Sequence, residues 1–328
     1  MENELSQSIY LSKEVWAAEI KGWSITDCTV RSRSFLYICL RQDVPDEQAS
    51  KMWDHDILTK LFVLNLEKPG TTFGSRTLEG YNKPRIGVAL KPLAQGLLVA
   101  RNNDGQVSVL GGGGKFPDEF IDPGKVPMTY RVKTIDGFAY SVGGGRAIYK
   151  RTDIGKWTKV GEGFPQKDAS SSQGFNDMDA FSANDMYAVG GHGDVWHFDG
   201  KAWKQMGFPS NVQLGTVTCA GDGKVYISGE GGSLWVGRES TWKSIYKGSS
   251  GILWNDAAWF DGQLWLSSDY QFRVWNGSEL LPVTHKGELV SASGHMDVRD
   301  GLLGIASPTH VWTFDGQQWR TIVAPYLD

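Results

Sequence analysis

Long apolar runs are missing from this 328-residue chain. None approaches the ~20 residues that a helix needs to cross a bilayer, so a membrane is not an expected partner. Cysteine is scarce. Cys28, Cys39 and Cys219 are too few and too scattered for a disulfide framework, and each sits in an apolar, strand-like stretch, so all three are expected as reduced core residues without a nucleophilic role. Positive charge is not in excess: 33 Lys and Arg against 37 Asp and Glu leave a net charge of −4, which is no footprint for a phosphate backbone, so nucleic acid is not expected either. His192 and His197 flank one turn and the other four histidines are dispersed, without the paired spacing of a zinc site; no metal and no cofactor are expected. Met1-Glu2-Asn3-Glu4 carries acids where a secretory signal would carry Lys or Arg, which points to the cytoplasm.

What the chain has in quantity is glycine, 41 residues, and aromatics, including 14 Trp, without any long stretch of helical period. That combination fits an all-β chain with many tight turns. The Trp residues mark a repeat. Val195-Trp196-His197-Phe198-Asp199-Gly200-Lys201-Ala202-Trp203 returns as Val311-Trp312-Thr313-Phe314-Asp315-Gly316-Gln317-Gln318-Trp319. Each copy alternates apolar residues, turns at Asp-Gly, and resumes with a Trp, which predicts a β-hairpin with positive φ values at a two-residue turn. Weaker copies begin at Ile148-Tyr149, Leu234-Trp235 and Val274-Trp275, so the apolar-aromatic pairs recur about every 40 residues. A turn and strand precede each pair, as in Asp222-Gly223-Lys224-Val225-Tyr226-Ile227, and a further apolar run precedes that. Four short antiparallel strands per repeat is the content of a propeller blade.

Five repeats are legible at 128–160, 174–206, 214–245, 254–283 and 291–322. Three strands of a sixth lie in 81–117, and a diverged seventh in 10–67 carries an insertion between Asp43 and Asp56. The expected fold is an all-β, seven-bladed β-propeller forming one domain over 1–328; the alternative is six blades with an N-terminal subdomain. The recurring Trp203, Trp242 and Trp319 are expected to pack between blades. Gly111-Gly112-Gly113-Gly114-Lys115 lacks the first Gly and the Ser or Thr of a phosphate loop and is expected as a connection between blades.

Acids recur where the first strand of a blade begins: Asp177 and Asp179, Asp256, and Asp297. Innermost strands line a propeller channel, so these carboxylates are expected to gather at one mouth. With Trp254, Asn255 and His295 beside them, they form the candidate partner-binding site; the plainer alternative is that they are strand-starting residues repeated with the repeat. No nucleophile motif or cofactor fingerprint appears, and a non-catalytic protein-binding role is expected.

The hairpins resemble degenerate Asp-box (BNR) hairpins of sialidase-like and photosystem-assembly-like propellers, and also kelch and WD-repeat blades, over about 128–322. Thr152-Asp153-Ile154-Gly155-Lys156-Trp157 is a shortened Asp-box, and Ser267-Ser268-Asp269-Tyr270-Gln271 begins as one but has Gln271 in place of Gly. Pro84-Arg85-Ile86-Gly87 is a broken form of the Arg-Ile-Pro element of sialidases, whose remaining catalytic groups cannot be assembled from this chain. The chain also resembles small, acidic immunity proteins built of such repeats. That likeness implies a protein that neutralises a secreted antibacterial toxin, with the acidic surface suited to a basic toxin domain. The competing expectation is a glycan-binding or glycoside-cleaving propeller that uses the channel mouth.

Overall fold

Seven sheets of four antiparallel strands, each built from consecutive strands, account for the chain. The computed structural model describes residues 9–326 except 69–72, 103, 126–127, 162–163, 165–173 and 249–250; Met1 to Glu4 lie outside the described residues. Blade 1 runs from the strand Trp23–Ser32 to Phe73–Leu78, and blade 2 from Arg85–Ala89 to Glu119–Phe120. Blade 3 runs from Thr129–Ile135 to Lys156–Lys159, blade 4 from Asp177–Ser182 to Trp203–Gln205, and blade 5 from Leu214–Cys219 to Thr241–Tyr246. Blade 6 runs from Asp256–Phe260 to Leu280–Pro282 and blade 7 from His295–Arg299 to Trp319–Val323, with a small hairpin at Thr284–His285 and Glu288–Leu289 between them.

The first strand of each blade lies against the first strands of both neighbours, and blade 7 meets blade 1, so the ring is closed. The chain is a seven-bladed β-propeller, as the repeat predicts. A second closure lies on the outer edge: the Tyr10 and Leu11 amides donate to the Thr321 and Ile322 carbonyls of the last strand, both at 3.0 Å. The short helix Lys13–Glu19 follows, with the Ser12 hydroxyl accepting from the Val15 amide at its start. Its Trp16 packs edge-on against Tyr326 near the other end of the chain.

Turn chemistry divides into two kinds. At Asp136-Gly137, Asp261-Gly262 and Asp300-Gly301 both residues have positive φ, the mirror-image turn that a twisted hairpin favours. At Asp199-Gly200 and Asp315-Gly316 only the Gly does, which departs from the sequence expectation. There the Asp side chain accepts from the following amides, Lys201 and Ala202 in one case and Gln317 and Gln318 in the other, so the carboxylate shapes the turn.

The recurring Trp residues pack between blades. Trp203 is buried with Phe164, Phe175 and Trp196 in a cluster shared by blades 3 and 4, and Trp319 lies against Phe272 of blade 6 and Phe314 of its own blade. Trp242 is only half-buried, edge-on to Tyr187 of blade 4. Between blades 2 and 3 the contact is ionic: Arg151, fully buried, reaches both Glu119 oxygens at 2.5 and 2.9 Å and the Gln95 side-chain oxygen at 2.8 Å. Such a fork-to-carboxylate pair satisfies both charges in one geometry. The run of glycines at 111–114 lies inside blade 2, between its third strand and Glu119–Phe120, and not between blades as expected. Gly111 has φ of 106°, and a Cβ there would stand 2.6 Å from the Tyr37 hydroxyl, so both conformation and space require Gly.

Candidate functional site

Alternation along a strand turns every second side chain to the same side, and on the inner strands that side is the channel. In blade 3 the residues so placed are Arg131 and Lys133, two cations at alternate positions of Thr129–Ile135. Arg131 is the hub of the upper channel, the end at which the inner strands begin. It pairs with Asp256 of blade 6, donates to the Asn255 carbonyl at 2.6 Å, and stands 3.4 Å from Asp177 of blade 4. Lys133 lies 3.5 Å from the same Asp177 oxygen.

Each candidate carboxylate also holds the next blade. Asp177 accepts from the Val217 amide at 3.0 Å, Asp179 from Cys219 at 2.8 Å, and Asp256 from Met296 at 3.0 Å. Asp297 accepts from the Thr29 hydroxyl at 2.7 Å and the Val30 amide at 2.8 Å. Asp177 and Asp256 are buried, whereas Asp179 and Asp297 are half-buried and border a channel cavity of about 200 Å³. Trp254 is buried, its indole N–H donating to the Gly232 carbonyl at 3.1 Å. Asn255 donates to Asp269 at 2.6 Å, and the His295 ring contacts Asp256 at 2.9 Å. The structure therefore brings Asp177, Asp256 and His295 into one network through Arg131. Asp179 and Asp297 stand further along the channel, Trp254 lies in the core between blades 5 and 6, and Asn255 turns to the loop carrying Asp269.

Burial and neighbouring charge compete at each of these groups. Burial raises the Asp256 carboxyl, but Arg131 and His295 outweigh it and hold it well below the usual carboxylate range. Burial depresses His295, but the Asp27 and Asp256 carboxylates outweigh it and leave the imidazole raised. At Asp179 burial prevails over Lys133 and the carboxyl is raised. Arg131 and Lys133 were not among the expected site residues. Their signal was readable as two cations at period two in Thr129–Ile135, where the inner strands of blades 4, 6 and 7 carry acids.

Above this network the upper face opens into a second cavity of about 400 Å³, bordered by His295, Asp269 and residues 83–85 of the segment leading into blade 2. On the same face stand two exposed aromatic rings. Trp53, 75% exposed, lies in the insertion between the second and third strands of blade 1, and Tyr270, 87% exposed, in the corresponding loop of blade 6. Among the described residues no three His, Cys, Asp or Glu side chains converge to hold a metal ion.

No family model matches the chain. Among solved structures, one described as YCF48 bound to D1 peptide superposes with a TM-score of 0.58 at 15% identity, over 92% of each chain. The WD40 propeller domain of Doa1 does so with a TM-score of 0.58 at 11% identity, over 87% of this chain and 90% of that one. These likenesses concern the fold alone. A relative by sequence is the immune protein Tsi7 of Pseudomonas aeruginosa, 34% identical over 241 residues, a match spanning 72% of this chain and 78% of that protein. An identity of that extent across most of a seven-bladed ring assigns the chain to the family of the immune protein Tsi7.

Proposed function

We propose that this chain is a non-catalytic immunity protein that neutralises a toxin in the cytoplasm by binding it. The relationship to an immune protein carries this reading. The polar groups of the upper channel support it, because Asp177, Asp256 and Arg131 are spent on one another and on backbone groups and stabilise the ring rather than a reacting substrate. A glycoside-cleaving role is not favoured, since the relative by sequence is an immune protein.

The upper face is the proposed contact surface. Exposed Trp and Tyr supply much of the energy of protein interfaces, and Trp53 and Tyr270 adjoin in sequence Asp54 and Asp269, which border the cavity that His295 also lines. Asn255 steadies the Tyr270 loop through Asp269. The net charge of −4 favours encounter with a basic toxin domain at long range, where whole-protein charge matters more than individual contacts. The test is co-purification from the native host, followed by expression of any stoichiometric partner with and without this chain in a susceptible cell. A partner that arrests growth alone and is harmless in its company supports the reading; a partner whose toxicity persists refutes it.

A further inference from the structure

Among the described residues, three basic side chains at the upper face have no carboxylate within ion-pairing distance. Arg41 and Asp54, which border the same cavity, pair with each other at 3.3 Å, and Asp269 is engaged by Asn255. That leaves Lys83, Arg85 and Arg101, and among the described residues no carboxylate pairs with any of them. The Nε atoms of Arg85 and Arg101 are buried without a hydrogen-bond partner. Arg101 is placed by its neighbours, its guanidinium lying 4.7 Å from the centre of the Tyr130 ring, with Nη2 3.9 Å from the Met128 sulfur. Arg85 opens the inner strand of blade 2, and burial together with the like charges of Arg131 and Arg101 works against its own charge, only partly offset by Asp27. Unpaired guanidiniums that border one cavity, each with a buried and unpartnered Nε, cost free energy that an anion would relieve.

We infer that the cavity bordered by Lys83, Arg85 and Arg101 is an anion-binding pocket that receives a carboxylate side chain, Asp or Glu, of the protein partner. This rests on the immunity reading for the identity of the ligand, though not for the existence of the pocket. A cavity of about 400 Å³ is large enough for a Glu side chain, and the planar guanidiniums match a carboxylate better than a point charge would. One buried acidic anchor on an otherwise basic toxin surface reconciles an acidic protein, which steers at long range, with a cationic pocket that fixes register at contact.

The test uses the full chain with glutarate and inorganic phosphate as probes, followed through the ring resonances of His295, which borders the same cavity. Glutarate is expected to shift them saturably, and at least tenfold more weakly in Arg85→Gln. Lys83→Gln, at an exposed residue, and Arg101→Gln serve if the first variant fails to fold. A saturable response to phosphate with none to glutarate overturns the carboxylate assignment, and shifts that sodium chloride reproduces overturn the pocket. In a second arm, the co-purified toxin is expected to bind Arg101→Gln at least tenfold more weakly than wild type. Unchanged toxin affinity in a variant that has lost glutarate binding overturns the anchor role. Failure to recover any toxin defeats the immunity reading instead, and the glutarate titration then decides the pocket by itself.

Discussion

The Asp297 carboxylate of blade 7 accepts the Val30 amide of blade 1 at 2.8 Å and so ties together strands 267 residues apart in the chain. The same relationship joins Asp256 to Met296, Asp177 to Val217 and Asp179 to Cys219, each across 40 residues, the length of one blade. A carboxylate at the start of an inner strand thus satisfies an amide that the neighbouring strand turns toward it. Replacing Asp297 by Ala removes the acceptor and is expected to lower stability by about 1–3 kcal/mol, with Asn costing less because it keeps one oxygen. Denaturant unfolding followed by Trp fluorescence measures both. Changing all four acids to Asn also strips Arg131 and Lys133 of their counter-charges, and that variant is expected to unfold at clearly lower denaturant than any single one.

The interblade Trp residues are graded by burial. Trp203→Ala and Trp319→Ala each open a cavity among aromatic rings and are expected to cost about 3–5 kcal/mol. Trp242, half-buried, is expected to cost less. Equal losses at all three positions in thermal unfolding would show that burial does not set the order.

Arg151→Met tests the buried ion pair between blades 2 and 3. It leaves Glu119 uncompensated in the core, with the Trp157 indole N–H still donating to it at 3.0 Å. The expected loss is about 3–5 kcal/mol, and the double variant Arg151→Met with Glu119→Leu is expected to recover much of it. A double variant no more stable than the single one would contradict this account of the pair.

His295 couples stability to pH. Its folded-state pKa lies above the unfolded value of about 6.5 because Asp27 and Asp256 outweigh the effect of burial and of Arg131. A raised pKa contributes stability that is complete below the unfolded value and is lost as pH rises through the folded one. The stability difference between wild type and His295→Gln is therefore expected to shrink as pH rises from about 6.5, in unfolding curves measured across that range. A difference that grows with pH would contradict the assignment.

The three thiols are expected to resist labelling. Burial pushes Cys39 up to about 12, and burial with the nearby Asp carboxylates raises Cys28 and Cys219 well above the ordinary thiol value. An aromatic disulfide reagent at pH 8 should find no reactive thiol in the native protein and three after denaturation. Fast labelling of the native chain would show that the channel near Cys219 admits the reagent.

The parts of the fold legible in the sequence were those with a local signal. Val195-Trp196 and Val311-Trp312 announce hairpins because an alternating strand, an Asp-Gly turn and a returning Trp fall within nine residues. Phe73–Leu78 and Glu119–Phe120 carry no such turn. The first follows Asn65 at a distance and the second is two residues long, so both lay outside the spans 10–67 and 81–117 read from the repeat. The site was legible as residue types but not as contacts. Spacing marked Asp177, Asp256 and Asp297 as recurring acids, but which blade each one faces is a property of the closed ring. Arg131 acquires its meaning only when Asp256, 125 positions away in sequence, is brought to the channel.

The proposed immunity role requires that a toxin meet the upper face of the propeller. Amide hydrogen exchange of the chain, alone and saturated with the toxin that co-purifies with it, tests this most directly. Protection is expected in the loops around Trp53, Lys83 to Arg85, Arg101 and Tyr270, with the turns at Asp136-Gly137, Asp261-Gly262 and Asp300-Gly301 on the opposite face exchanging as before. Protection confined to those opposite turns, with the upper loops unchanged, would contradict the account.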